Sequence, residues 1–186
     1  PSELGSLLDA GESPWNPRWF PYGSLPLYLL KSVQSIAGNW TELDVFALRL
    51  PGRVLSAFAD TGTVIALLVL GTSLYGRRVG LLAAGLLAVT VLHIQISHFF
   101  TVDSFMVFFT VVSLIFMVRV ARGGRLADSA LAGLFVGLAL ASKASAAALL
   151  LPLVVAHLSP LLSGGEEGLS LRYLSLRGVR RAVPGL

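Results

Sequence analysis

Residues 77–125 read RRVGLLAAGLLAVTVLHIQISHFFTVDSFMVFFTVVSLIFMVRVARGGR: two apolar runs, arginines at both roots, and a short polar link between. As helices, Val79–Ser97 and Ser104–Val120 would measure about 28 and about 26 Å, enough for a ~30 Å hydrocarbon layer with modest thinning. The link His98-Phe-Phe-Thr-Val-Asp103 is so short that the two runs must form an antiparallel hairpin. Arginine and lysine collect on the cytoplasmic side of membrane proteins. Arg77 and Arg78 lie at one root and Arg119, Arg122 and Arg125 at the other, so the tip is expected outside.

The same grammar extends both ways. Val54–Tyr75, about 33 Å as a helix, lies between Arg53 and Gly76-Arg77-Arg78 and reads as a span. Ser129–Leu158 is apolar but interrupted at Ala141-Ser-Lys-Ala-Ser145, and its flanks are basic on both sides. Basic flanks call for an even number of crossings, so two short helices with Lys143 at the outer turn are expected; a single span would place Arg172–Arg181 outside. Pro26–Ala37 reads as a short interfacial helix. The prolines and tryptophans ahead of it, with Trp40 after it, suit the headgroup layer. The expected fold is therefore all-α: a polytopic transmembrane bundle of about five membrane helices. Residues 1–53 would form an external loop with the interfacial helix, 54–158 the transmembrane region, and 159–186 a cytoplasmic loop and tail.

Composition agrees with lipid as the solvent. The chain is 55% hydrophobic and 13% charged, with a mean hydropathy of +0.79, whereas soluble domains carry about 25% charged residues. The sequence pI near 10.0 does not signal nucleic acid, because the arginines flank apolar runs instead of forming one stripe. There is no cysteine, which excludes disulfide and thiolate chemistry. No internal repeat is visible. The chain opens in a polar Pro/Trp-rich stretch and closes on Arg180-Arg181-Ala-Val-Pro-Gly-Leu; we expect a piece of a longer protein.

Polar residues inside the spans are the functional candidates, since ionisable groups at membrane depth are costly and usually face a bundle interior. Arg53, Ser56, Asp60 and Thr63 share one helical stripe, as do Thr90, His93 and Ser97 on the second span, and Asp103, Met106, Thr110 and Ser113 on the third. Asp60 lies about 10 Å inward from Arg53 and His93 about 7–8 Å inward from His98, so they can meet at one depth. That pair serves structure or function equally well. The hydroxyls of Ser56, Thr63, Thr90, Thr110 and Ser113 are expected to bond their own helices or to join neighbouring ones. Arg53 reads first as an interfacial anchor. Lys143 breaks the positive-inside bias and reads as a phosphate ligand, with a snorkelling lysine as the alternative. His98 and Asp103 flank the outer turn. There a carboxylate could orient an acceptor hydroxyl or hold a metal-bound phosphate, and a histidine could donate to a phosphate oxygen. Asp103 also fits the N-cap of the third helix.

Several of these stretches carry a resemblance. Asn16-Pro-Arg-Trp-Phe-Pro-Tyr-Gly-Ser-Leu-Pro-Leu-Tyr-Leu-Leu30, Arg53-Val-Leu-Ser56, Leu74-Tyr-Gly-Arg-Arg-Val-Gly-Leu81, His98-Phe-Phe-Thr-Val-Asp103 and Gly137-Leu-Ala-Leu-Ala-Ser-Lys143 together resemble protein O-mannosyltransferase-like membrane glycosyltransferases, the dolichyl-phosphate-mannose-protein type. The resemblance covers most of residues 16–158. It implies the C-type glycosyltransferase (GT-C) fold, a lipid-linked sugar donor, and an inverting transfer to a protein, lipid or glycan on the extracytoplasmic side of a bacterial plasma membrane. No organic cofactor is implied; a divalent metal is left open, and no metal ligands are assigned.

By the same resemblance Asp103, with His98, stands near the active site. Arg53 and Lys143 would receive the donor phosphate, with Tyr22, Asp60 and His93 lining the cavity. The family's principal catalytic Asp follows its first transmembrane helix and is expected ahead of Pro1. Related aminoarabinose transferases carry Lys-Pro-Pro where this chain has Ser24-Leu-Pro26, a departure that bears on phosphate contacts and metal use. The rival readings are a transporter or flippase of lipid-linked or small polar substrates, and a non-catalytic membrane scaffold. Transporters favour polar breaks at the bilayer midplane and repeated halves.

Overall fold

A computed structural model describes residues 23–37 and 45–163, and all of the regular structure among them is helical. Tyr22, Trp15, Trp19, Trp40 and the Arg172–Arg181 cluster lie outside the described residues. In chain order the helices are α1 (Leu25–Ala37), α2 (Val45–Tyr75), α3 (Arg77–Ala88), α4 (Val91–Ser97), α5 (Val102–Ala121) and α6 (Leu126–Ser142). A 3-10 helix (Ala144–Leu149) and α7 (Leu150–Ser163) follow.

Two of these can cross a membrane unaided: α2 from Arg49 to Tyr75, and α5. Helices α3 and α4 make a third crossing only as a bent pair, their axes 62° apart, while α6 and Ala144–Pro160 are apolar but short. The fold is an all-α membrane bundle. Large apolar side chains such as Phe58, Ile65, Leu82, Leu92 and Leu151 stay exposed on its outside, as expected where lipid rather than water is the neighbour.

Two elements differ from the sequence expectation. Helix α2 begins at Val45, not Val54, and carries Pro51 inside it. Proline removes one backbone donor and crowds the preceding turn, a reason to place the helix start after it, but the helix runs through. The run expected as one span from Val79 to Ser97 is broken at Val89 and Thr90. Thr90 takes an extended conformation at the start of α4, and its hydroxyl donates to the Leu86 carbonyl at 2.8 Å. Such back-bonding competes with the helix ladder, and the flanking Val89 and Val91 are β-branched and stiff.

Tight hairpins order the bundle. Gly76 (φ +89°) turns α2 into α3, and Gly123 (φ +77°) turns α5 into α6; both conformations favour glycine. A Cβ placed on Gly71 would come within 2.9 Å of the Gly80 Cα, so α2 and α3 touch backbone to backbone, the close approach that small residues allow in membranes. The core lies between α5, α6 and α7, where Met117, Val120, Ala132, Val136, Ala139, Ala146, Leu149 and Ala156 are buried together. Phe116 stacks on Phe135 at 5.7 Å beside it.

Contacts at the helix ends fix the relative directions. Arg122 donates to the Ser73 hydroxyl (3.2 Å) and carbonyl (3.0 Å), joining the C-terminal ends of α2 and α5. The Ser159 hydroxyl reaches the Ala121 carbonyl at 3.4 Å, so α7 returns to that same end. The path from α6 through Lys143 to α7 therefore runs to the opposite end and returns. Arg77, Arg78, Arg119, Arg122 and Arg125 gather at this end. The hairpin tip, Arg53 and Lys143 gather at the other.

Candidate active site at the end opposite the arginines

Two backbone breaks build the site. Thr101 is extended (φ −126°, ψ 146°) at the start of α5, which leaves Asp103 as the second residue of the first turn. Thr101, not Asp103, occupies the cap position; a carboxylate one step inside the helix still suits the positive end of its dipole. Lys143 is extended (φ −158°, ψ 129°) between α6 and the 3-10 helix. Its N–H donates to the Ala139 carbonyl at 2.9 Å, and its own carbonyl accepts from Ala146 at 3.0 Å. With the backbone held on both sides, the ammonium donates to Asp103 Oδ1 at 2.6 Å. That link joins residues far apart in sequence, from two different helical hairpins.

Arg53 stands at the same end with its guanidinium 5.9 Å from the centre of the Phe99 ring. The turn beneath it is tightly seated, since a Cβ on Gly52 would lie 3.0 Å from Phe100 Cβ. Phe100 meets Phe105 edge to face at 5.9 Å. His98 and Asp103 flank this turn but take different partners. Its Nδ1 lies 2.7 Å from the Ile94 carbonyl, a bond within its own helical turn, and Asp103 takes Lys143 instead.

One layer deeper, His93 Nε2 lies 2.7 Å from Asp60 Oδ1, with side chains only 15% and 17% exposed. No hydrogen bond of good angle accompanies this contact, so it is a close polar pair rather than a linear bond. The depth arithmetic read from the sequence brings these two together. Ser56, one turn before Asp60, is fully buried, and its hydroxyl has no hydrogen-bond partner among the described residues. Other hydroxyls bond their own helices: Thr63 to the Ala59 carbonyl, Thr90 to Leu86 and Ser113 to Thr110, each at 2.8 Å.

Two contacts went unread in the sequence. Gly23 presses on the end of α6 so closely that any Cβ would strike the Ala141 carbonyl; the glycine was visible, its neighbour was not. Ser145 donates to the Met106 sulfur at 3.4 Å, and its place two residues after Lys143 was the available signal. Among the described residues no three His, Asp or Glu side chains converge as a metal site.

A family model described as dolichyl-phosphate-mannose-protein mannosyltransferase matches residues 25–176. The chain belongs to that family. The match starts where α1 starts and runs past the end of α7, so it takes in every described helix together with Arg53, Asp60, His93, His98, Asp103 and Lys143. Comparison with curated proteins and with solved structures found no match. Family membership makes this a membrane glycosyltransferase, and the family's description implies a lipid-linked sugar donor.

Proposed function

We propose that the protein moves a sugar from a polyprenyl-phosphate carrier to a hydroxyl of an extracytoplasmic protein, lipid or glycan, with inversion at the anomeric carbon. The observation that carries this reading is the Asp103–Lys143 pair, held at 2.6 Å at the end of the bundle opposite the Arg77–Arg125 cluster, in a chain of this family. A donor phosphodiester bears one negative charge, and its phosphate gains a second as the sugar leaves. A fixed cation beside it favours the transition state over the ground state. Lys143 carries three N–H donors, so contact with Asp103 is compatible with contact to a phosphate oxygen. Arg53, held over Phe99, is the second cation for the lipid phosphate. Asp103 holds the ammonium in place and faces the acceptor side. Positive-inside bias supports an extracytoplasmic position for this end, where a carrier lipid would deliver its sugar within the outer leaflet.

The test is transfer of radiolabelled mannose from polyprenyl-phosphate-mannose in membranes carrying the full-length protein. Asp103→Asn is expected to lower transfer about 10²-fold while membrane abundance stays the same. Wild-type turnover in that variant would remove Asp103 from the site. The break at Val89–Thr90 is the feature a transporter reading would use. In the same vesicles, a carrier lipid that crosses the bilayer with its sugar still attached, without a glycosylated product, would favour transport.

A further inference from the structure

Helix α4 is seven residues long, and none of them is buried. Val91, Leu92 and Ile94 are 77%, 64% and 42% exposed, so apolar packing does little to fix the direction it takes after the 62° bend. Its hydroxyl and imidazole contacts at Ser97 and His98 stay within its own turn. What reaches across to another helix is His93, whose Nε2 lies 2.7 Å from Asp60 Oδ1 on α2. One turn nearer the outer end of α2, Ser56 is fully buried, and its hydroxyl has no partner among the described residues. Ionisable groups such as Asp60 and His93 are costly at membrane depth unless they meet each other, which favours keeping the pair together where packing holds little. Helix α4 leads straight into Phe99 under Arg53, Phe100 against Gly52, and then Asp103 beside Lys143.

We infer that Asp60 and His93 are positioning residues: a clasp within the membrane that sets the direction of α4, seats the 98–103 turn, and thereby places Asp103. The clasp touches neither phosphate nor sugar. It holds the turn at one height along α2, with Phe100 resting on Gly52. Releasing it frees α4 to swing on the Val89–Thr90 hinge and carries the turn away from α2. Its consequence for turnover rests on the sugar-transfer reading above; its consequence for the turn does not.

The natural chain has no cysteine, so the seat can be read by cross-linking. Gly52→Cys with Phe100→Cys places two thiols where the Cβ positions lie 3.0 Å apart, about half an ångström inside the usual disulfide spacing. After that small shift, oxidation is expected to close a disulfide in native membranes. Adding His93→Gln or Asp60→Asn is expected to slow that closure several-fold, and the exchange Asp60→His with His93→Asp is expected to restore it. In the chain without added cysteines, each single variant is expected to lower kcat for sugar transfer about tenfold or more, with donor KM within about threefold, because a displaced turn is a misplacement and not a lost phosphate contact. Should a single variant not reach the membrane, Asp60→Asn with His93→Gln, which leaves two neutral amides at the seam, carries the same comparison. Unchanged cross-linking in the pair-broken chains overturns the inference. Slowed cross-linking in a protein that transfers no sugar upholds the clasp and sinks the sugar-transfer reading instead.

Discussion

Lys143 and Asp103 keep 30% and 40% of their side chains exposed, so water screens their 2.6 Å contact. Pairs this exposed contribute about 0–1 kcal/mol to stability, whereas a cation beside a leaving phosphate lowers a barrier by several times that. Lys143→Gln is therefore expected to shift thermal unfolding in detergent by less than about 1 kcal/mol while lowering kcat about 10²-fold. A large loss of stability with intact turnover would reverse the assignment. Ser56 presents the opposite case. Its hydroxyl is fully buried without a partner among the described residues, and a buried unsatisfied group costs about 1–3 kcal/mol. Ser56→Ala is expected to leave the melting temperature unchanged or raise it; a clear fall would show that the hydroxyl has a partner. At this scale the sequence was legible where chemistry and depth coincide, as for Asp60 with His93. It carried no sign of the partners at the outer turn: the His98 ring is turned back onto Ile94, and Lys143 reaches Asp103 from another hairpin.

Helices α2 and α3 depend on a missing side chain. A Cβ on Gly80 would strike Thr72 Oγ1 and lie 2.7 Å from the Thr72 nitrogen and 2.8 Å from the Leu68 carbonyl, whereas one on Gly85 meets nothing within 4 Å among the described residues. The first set includes backbone atoms, which cannot step aside. Gly80→Val is expected to destabilise the hairpin by about 1–3 kcal/mol or more, seen as reduced yield and a lower melting temperature in detergent. Gly85→Ala on the same helix is expected to be neutral or slightly stabilising. Equal effects of the two would mean that α2 and α3 do not touch at Gly71 and Gly80. Element positions were largely legible, because hydropathy and arginine spacing mark where helices lie and where they reverse. The start of α2 was not, since Pro51 carries a stop signal that tertiary packing overrides. Nor was the break at Val89–Thr90, where no glycine, proline or charge interrupts an apolar run and a threonine hydroxyl turned onto Leu86 is the local cause.

Across the whole molecule, the folded chain sorts its charges by end. Arg77, Arg78, Arg119, Arg122 and Arg125 collect where Arg122 ties α2 to α5 through Ser73, while Arg53, Asp103 and Lys143 collect at the opposite end. Helix packing alone fixes that separation, but not which end faces the cytoplasm; that follows from the positive-inside bias. The two steps can be tested apart in a chain without natural cysteines. Thr101→Cys lies at the hairpin tip, and Tyr75→Cys replaces a 73% exposed residue at the arginine end without removing an arginine. In intact cells an impermeant maleimide is expected to label the first and to reach the second only after permeabilisation. Labelling of both from outside would contradict the bundle itself, because α2 and α5 would no longer separate their ends across the membrane. The reversed pattern would keep the bundle and turn it over, placing Lys143 on the cytoplasmic face. A sugar delivered in the outer leaflet could not then meet it, so topology and donor chemistry stand or fall together at this scale.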